Sequence, residues 1–202
     1  MLSLIAKDVK FNFKYVVIAT LFLLIAPIIL VKGEGTTSQF FAVVLYFPLL
    51  VVNYIIGKFC YLEDSTYTLN FLKSLPISKY KRVGSRYLEG IFLVFFTTAY
   101  CTFIEQTFFI KDPSVSLQYF SISASVYIAY LGLYLGLFYF KNFQLAQQSL
   151  TIAFVIFFAV VAIFKYFNLD LQIQLSSFIL ISIFIISSSL CFLSYFLVCK
   201  KK

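Results

Sequence analysis

The sequence predicts an all-α integral membrane protein with six transmembrane helices, an N-terminal amphipathic interfacial helix and one long polar segment between the second and third spans. The 202 residues are 62% hydrophobic and 12% charged, with a mean hydropathy of +0.97. Soluble domains average about 45–50% apolar and about 25% charged residues. The chain contains six apolar stretches whose lengths are close to the about 20 residues that a helix needs to cross a bilayer. We therefore expect a single transmembrane domain over residues 1–202, without a separate soluble domain.

The apolar stretches follow one another along the chain. They comprise residues 15–31, 40–60, 87–110, 117–140, 145–164 and 173–198. Ahead of them, residues 1–14 place Leu2, Ile5 and Val9 on one side of a helix, which predicts a helix lying in the membrane interface. A cleaved signal peptide is the alternative. It is disfavoured because the first stretch is long, contains Pro27 and lacks an A-x-A-like cleavage site.

The Lys and Arg residues predict the orientation in the membrane. Only Lys32, Lys111 and Lys165, of sixteen Lys and Arg residues, fall on one side of the predicted spans. Cytoplasmic loops carry the excess of Lys and Arg. We therefore expect both termini and the polar segment 63–86 to be cytoplasmic.

Several classes of chemistry are excluded by missing residues. The chain has no histidine, which removes Ser-His triads and the commonest metal ligand. The sequence contains no GxxxxGK[ST] motif, so the chain cannot hydrolyse ATP through a phosphate loop. It also contains no HExxH motif, which excludes zinc catalysis of the HExxH type. The cysteines form no CxxC pair, and we expect free buried thiols without a metal site.

Three polar residues inside the apolar stretches are candidates for an intramembrane site. Glu89 either pairs with Arg86, three residues earlier, or acts as a functional acid, because burying a lone acid is costly. Glu105 either reaches the outer water or lines a substrate path. Asn53 either hydrogen-bonds a neighbouring helix or lines a polar cavity.

The only long polar segment, residues 63–86, reads EDSTYTLNFLKSLPISKYKRVGSR. Asp64 or Ser65 can cap a short helix by accepting a backbone N–H. Apolar residues then recur at helical spacing, which predicts an amphipathic helix with one leucine face, formed by Leu69, Leu72 and Leu75.

Pro76 ends this predicted helix, because proline cannot continue it and restricts the residue before it. Ser78 can cap a second helix that leads through basic residues into the third span. An amphipathic loop that merely lies on the membrane surface is the alternative interpretation of the segment.

Residues 63–78 resemble a segment of small bacterial ABC type-2 permeases that reads roughly E-E-x-x-x-T-x-x-x-L-x-S-L-P-[IV]-S and follows the second span. In that family, basic residues and then K-[YF]-L come next, and here Arg86-Tyr87-Leu88 stands in that place. The departures, Asp64 and Arg86, keep the charge. The Lys7-Asp8 pair in the N-terminal helix also resembles the family.

The resemblance implies an ABCG-like permease that pairs with a second permease copy or a different permease. It implies docking on two cytoplasmic ABC ATPase subunits, which bind ATP and Mg²⁺. The chain itself would bind no cofactor or nucleic acid and would lie in the bacterial cytoplasmic membrane. Small members resemble permeases for bacitracin resistance, lantibiotic immunity and export of amphipathic peptide toxins, so the implied substrate is an amphipathic or antimicrobial peptide.

The same resemblance implies that the polar segment carries the coupling helix that contacts the ATPase. The leucine face would enter a groove of the ATPase, while Glu63, Asp64, Lys73 and Lys79 would lie on the exposed rim. The candidate coupling residues are Glu63, Asp64, Tyr67, Leu69, Asn70, Phe71, Leu72, Lys73, Leu75 and Pro76.

Two other classes of function remain open at this point. An intramembrane lipid-modifying enzyme would use Glu89 or Glu105 as its acid, but the chain has no histidine and no acidic cluster. A non-catalytic membrane assembly subunit needs no reactive residues. A neighbouring gene for a phosphate-loop ATPase would favour the permease.

Overall fold

A computed structural model describes residues 2–31, 37–64, 77–108, 113–166 and 176–200. These ranges form seven helices and contain no strand, which confirms the predicted all-α class. The helices are α1 (Leu2–Phe11), α2 (Phe13–Val31), α3 (Thr37–Asp64), α4 (Lys79–Phe108), α5 (Pro113–Phe140), α6 (Phe143–Tyr166) and α7 (Ser177–Lys200).

The N-terminal helix is separate from the helix that follows it, as predicted from its amphipathic pattern ahead of the first span. The axes of α1 and α2 differ by 80°. The bend lies at Asn12, whose backbone N–H and side-chain amide both donate to the Asp8 carbonyl at 3.0 Å. Its own carbonyl accepts the backbone N–H groups of Tyr15 and Val16 and so begins α2. The interfacial position of α1 stays a prediction.

Three described helices contain segments long and apolar enough to cross a membrane. These segments are Lys79–Ile104 of α4, Ser116–Phe140 of α5 and Phe178–Lys200 of α7, and the bent pair of α1 and α2 would make a fourth. Within the described ranges, three to four spans are therefore supported, and the total of six stays a prediction.

The helices pack around α5, which contacts α3, α4, α6 and α7. Its closest approach is to α7, where a Cβ atom added at Gly132 would lie 2.8 Å from Cys191 Cα. The Ser194 hydroxyl donates to the Gly132 carbonyl at 2.6 Å and lies 2.8 Å from the Tyr87 hydroxyl. Because a serine hydroxyl has only one proton, Tyr87 is the donor to Ser194. One serine of α7 thus joins α4 and α5.

Gly132→Ala is expected to destabilise the protein, because its Cβ would meet helix backbone that cannot rotate away. Overpacking of this kind costs about 1–3 kcal/mol. The fraction of monodisperse protein after heating in detergent measures the effect. Gly57→Ala is the matched control, since its Cβ would lie 3.5 Å from the nearest side-chain atom. If the two variants melted at the same temperature, the contact between α5 and α7 at Gly132 would be looser than the structure shows.

Candidate functional site

The structure describes the two ends of the polar segment, residues 63–64 and 77–86. Helix α3 continues to Asp64, four residues beyond the predicted end of the second span. Helix α4 begins at Lys79, where the Ser78 carbonyl accepts the backbone N–H groups of Lys81 and Arg82 at 3.0 and 3.2 Å. The predicted helix start after Ser78 is therefore confirmed. Most candidate coupling residues lie outside the described residues, namely Tyr67, Leu69, Asn70, Phe71, Leu72, Lys73, Leu75 and Pro76.

Arg86, in the second turn of α4, lies at the centre of a buried charge network and is 7% exposed. Its Nη1 atom lies 2.8 Å from Glu89 Oε2 and 3.1 Å from Asp8 Oδ2. Its Nη2 atom lies 3.3 Å from Glu63 Oε2. The planar guanidinium therefore binds carboxylates from three helices, because its five donors diverge from one rigid group.

Glu63, in the last turn of α3, has two further partners. Arg82 Nε lies 3.6 Å from Glu63 Oε1, and the Tyr139 hydroxyl of α5 donates to Glu63 Oε2 at 3.3 Å. The Phe59 ring covers the Arg86 guanidinium, with 5.1 Å between the ring centroid and Cζ. Aromatic cover of this type excludes water and attracts the cation.

The charges within this cluster are nearly balanced. Three carboxylates, from Asp8, Glu63 and Glu89, face two guanidinium groups, and Lys7 Nζ lies 3.8 Å from Asp8 Oδ1 at the more exposed edge. Buried charges persist in proteins when they are paired and hydrogen-bonded. Removing one partner leaves the others uncompensated, so the network depends most on Arg86.

The structure corrects one prediction and extends another. The rim position predicted for Glu63 is wrong, because this residue is 3% exposed and is enclosed by Arg82, Arg86 and Tyr139. Asp64, the next residue, is exposed. The predicted Arg86–Glu89 pair is present. Sequence reasoning missed Asp8 and Glu63 as partners of Arg86, and Tyr139 as a partner of Glu63, because the residues of each pair are far apart along the chain.

The other two intramembrane candidates lie apart from this network. Asn53 accepts a hydrogen bond from the Tyr130 hydroxyl at 3.1 Å and donates to its own helix at the Leu49 carbonyl, at 2.8 Å. It therefore joins α3 to α5, the first of the two roles predicted for it. Glu105 is in α4, but its side chain lies outside the described residues.

The network can act mechanically, since it ties both ends of the polar segment to the membrane part. Glu63 lies where α3 enters the segment, and Arg82 and Arg86 lie where α4 leaves it. Asp8 adds α1 and Tyr139 adds α5. A displacement of the segment would thus reach α1, α3 and α4 through the Arg86 guanidinium, and α5 through Glu63 and Tyr139.

The fold and the site define a helical membrane protein whose polar segment is joined to the neighbouring helices by ion pairs at both of its ends. The model of a protein family described as ABC-2 family transporter protein matches residues 3–201. The chain therefore belongs to the ABC-2 transporter family and is a transport component of the permease type. No curated protein and no solved structure matches the chain.

Proposed function

We propose that the chain is the permease subunit of an ATP-driven exporter of amphipathic or antimicrobial peptides, powered by separate cytoplasmic ATPase subunits. The family supports a permease, since ABC-2 permeases generally pair with ABC ATPases. The single observation that carries the proposal is the Arg86 network, which connects both ends of the polar segment to α1 and α5. A permease without a nucleotide site needs such a connection, because energy must arrive by contact.

In this proposal the residues from Tyr67 to Leu75 form the coupling helix, and the buried Glu63 is held just before it by Arg82 and Arg86. The leucine face binds the ATPase, while the ion pairs carry its displacement to the spans. The chain lies in the bacterial cytoplasmic membrane with both termini inside, as its Lys and Arg distribution predicts. ATP and Mg²⁺ bind to the partner subunits.

A second permease copy, or a paired permease, completes the proposed transporter. An apolar groove of about 300 Å³ between α2 and α3 supports a lateral partner in the membrane. It is lined by Ile18, Ala19, Phe22, Leu50, Val51 and Tyr54. Apolar side chains in such a groove can pack against another helix as well as against lipid.

Affinity purification of the full chain from native membranes in mild detergent tests this function. We expect an ATPase with a phosphate-loop motif to co-purify and the complex to hydrolyse ATP. Recovery of the chain alone, with turnover of a lipid substrate, would favour an intramembrane enzyme instead. Recovery with other membrane proteins and no ATPase would favour a non-catalytic assembly subunit.

A further inference from the structure

The apolar groove between α2 and α3 has a floor of buried side chains and walls of exposed ones. Ala19 and Val51 form the floor, and each is 3% exposed. Ile18, Phe22 and Tyr54 belong to the walls and are exposed. An apolar lining does not hold water, so the groove favours an apolar chain.

Lys58 lies at one end of this groove. It follows Tyr54 by four residues, which is about 6 Å further along α3 toward Asp64. Its Nζ atom lies 4.9 Å from the centroid of the Tyr15 ring, and that ring packs edge-on against Tyr54 at 6.3 Å. The same Nζ atom lies 5.7 Å from the centroid of Tyr61. Tyr15 and Tyr61 thus hold the ammonium group at the end of the groove that is predicted to be cytoplasmic.

The charge of Lys58 is not neutralised by the described part of the chain. Lys7, Arg82 and Arg86 all lie near carboxylates, whereas Lys58 has no carboxylate partner within the described ranges. Lys58 is also half-buried. The two tyrosine rings attract the ammonium group through their π faces but do not cancel its charge. An anionic group beside Lys58 would supply both the counter-charge and hydrogen-bond acceptors.

The groove and Lys58 together match a molecule that has an anionic head and an apolar chain. Lys14, next to Tyr15 in α2, is exposed and adds a second positive charge at the same end of that helix. Basic side chains at the cytoplasmic surface of a membrane attract anionic lipids. A free phosphate would gain nothing from the groove, and a zwitterionic lipid would bring its own cation to Lys58. The combination therefore favours an anionic phospholipid.

We propose that this groove binds one anionic phospholipid of the cytoplasmic leaflet. An acyl chain lies between the walls at Phe22 and Tyr54, and the phosphate pairs with Lys58. The inference goes beyond the proposed function, which uses the groove only as support for a lateral partner. A lipid bound here would lie between the chain and that partner.

The test uses tryptophan fluorescence, because the chain contains no tryptophan. Phe22→Trp places one in the groove, and Phe192→Trp places one on the exposed face of α7 as the control. Each position is eight residues, or about 12 Å along a helix, from a lysine at the predicted cytoplasmic end, namely Lys14 and Lys200. The full-length variants are reconstituted in phosphatidylcholine membranes that contain brominated phosphatidylglycerol or brominated phosphatidylcholine. The bromine atoms quench a tryptophan that they contact.

We expect brominated phosphatidylglycerol to be preferred over brominated phosphatidylcholine about fivefold at position 22, which is the effect of one lysine beside an anionic lipid. Position 192 should show little preference. Adding Lys58→Gln should abolish the preference at position 22, and Lys58→Arg should keep it. Lys141→Gln, which removes an exposed lysine just after α5, is the matched control and should leave the preference unchanged.

Equal quenching by the two lipids at position 22 would overturn the proposal. The same preference at positions 22 and 192 would also overturn it, since a general attraction to a chain of net charge +8 would then suffice. A preference that survives Lys58→Gln would place the anionic group elsewhere and contradict the assignment.

Weak quenching at position 22 by both lipids would show that a second copy of the chain fills the groove, and it would likewise contradict the lipid assignment. The comparison of positions 22 and 192 needs no change at Lys58, so it decides the question even if Lys58→Gln does not fold. None of these readouts requires an ATPase. They can therefore fail while co-purification of an ATPase succeeds, and the reverse.

Discussion

Arg86→Gln is expected to lower the free energy of unfolding by about 3–5 kcal/mol, because a buried ion pair that loses one partner leaves the other charge uncompensated. Here the loss is shared by three carboxylates, from Asp8, Glu63 and Glu89, whose contacts to Arg86 are 3.3 Å or shorter. We expect most of the variant to aggregate on extraction in mild detergent. The monodisperse fraction and the melting temperature in detergent measure the effect.

Arg82→Gln is the matched control, since it removes the same charge from the same helix. The Arg82 side chain is 21% exposed, and its Nε atom lies 3.6 Å from Glu63 Oε1, a longer distance than any of the three Arg86 contacts, so a smaller loss is expected. Arg86→Gln combined with Glu89→Gln should recover part of the yield, because one of the three carboxylates that face the lost guanidinium is removed. If Glu89→Gln alone keeps full yield but abolishes transport, then Glu89 is a functional acid and the structural account of this residue is wrong.

Leu69→Ser combined with Leu72→Ser is expected to weaken association with the ATPase at least about a hundredfold, because each buried leucine contributes about 1.5–3 kcal/mol. The variant should still insert in the membrane at normal yield, since neither residue lies in a predicted span. ATPase co-purification and substrate-stimulated ATP hydrolysis should both be lost. These two measurements check the prediction, together with the amount of permease in the membrane.

The conservative pair Leu69→Met with Leu72→Met is the control for this effect. Leucine-to-methionine changes conserve volume and apolar character and usually cost less than about 1.5 kcal/mol. The control should keep most of the ATPase binding. If the serine variant retains the ATPase and transports at the original rate, the segment is a surface loop and the coupling assignment is wrong.

Local patterns in the sequence were sufficient to predict the helical class and several local features. The start of α4 after Ser78 follows from a capping residue, and the Arg86–Glu89 contact follows from one helical turn. The separation of α1 from α2 follows from the change from an amphipathic pattern to a fully apolar one, although the bend at Asn12 comes slightly before the predicted boundary at residue 14. In the first two cases, the residues that determine the structure lie within four positions of one another.

The rest of the site depends on contacts between helices, which spacing along a chain does not encode. Glu63 meets Arg86 across 23 positions and Tyr139 across 76. A glutamate beside an aspartate at the end of a span is compatible with an exposed rim. The packing of α4 and α5 against α3 brings Arg82, Arg86 and Tyr139 to Glu63 and encloses it.

The most direct test of the central claim is photo-cross-linking from the polar segment in native membranes. A photoreactive benzoylphenylalanine replaces Phe71, and the product is identified by mass spectrometry. The same substitution at Phe192, an exposed residue of α7, is the control. We predict a cross-link from position 71 to a phosphate-loop ATPase and none from position 192. Cross-links from position 71 to lipid alone, with the ATPase present in the same membranes, would contradict the account.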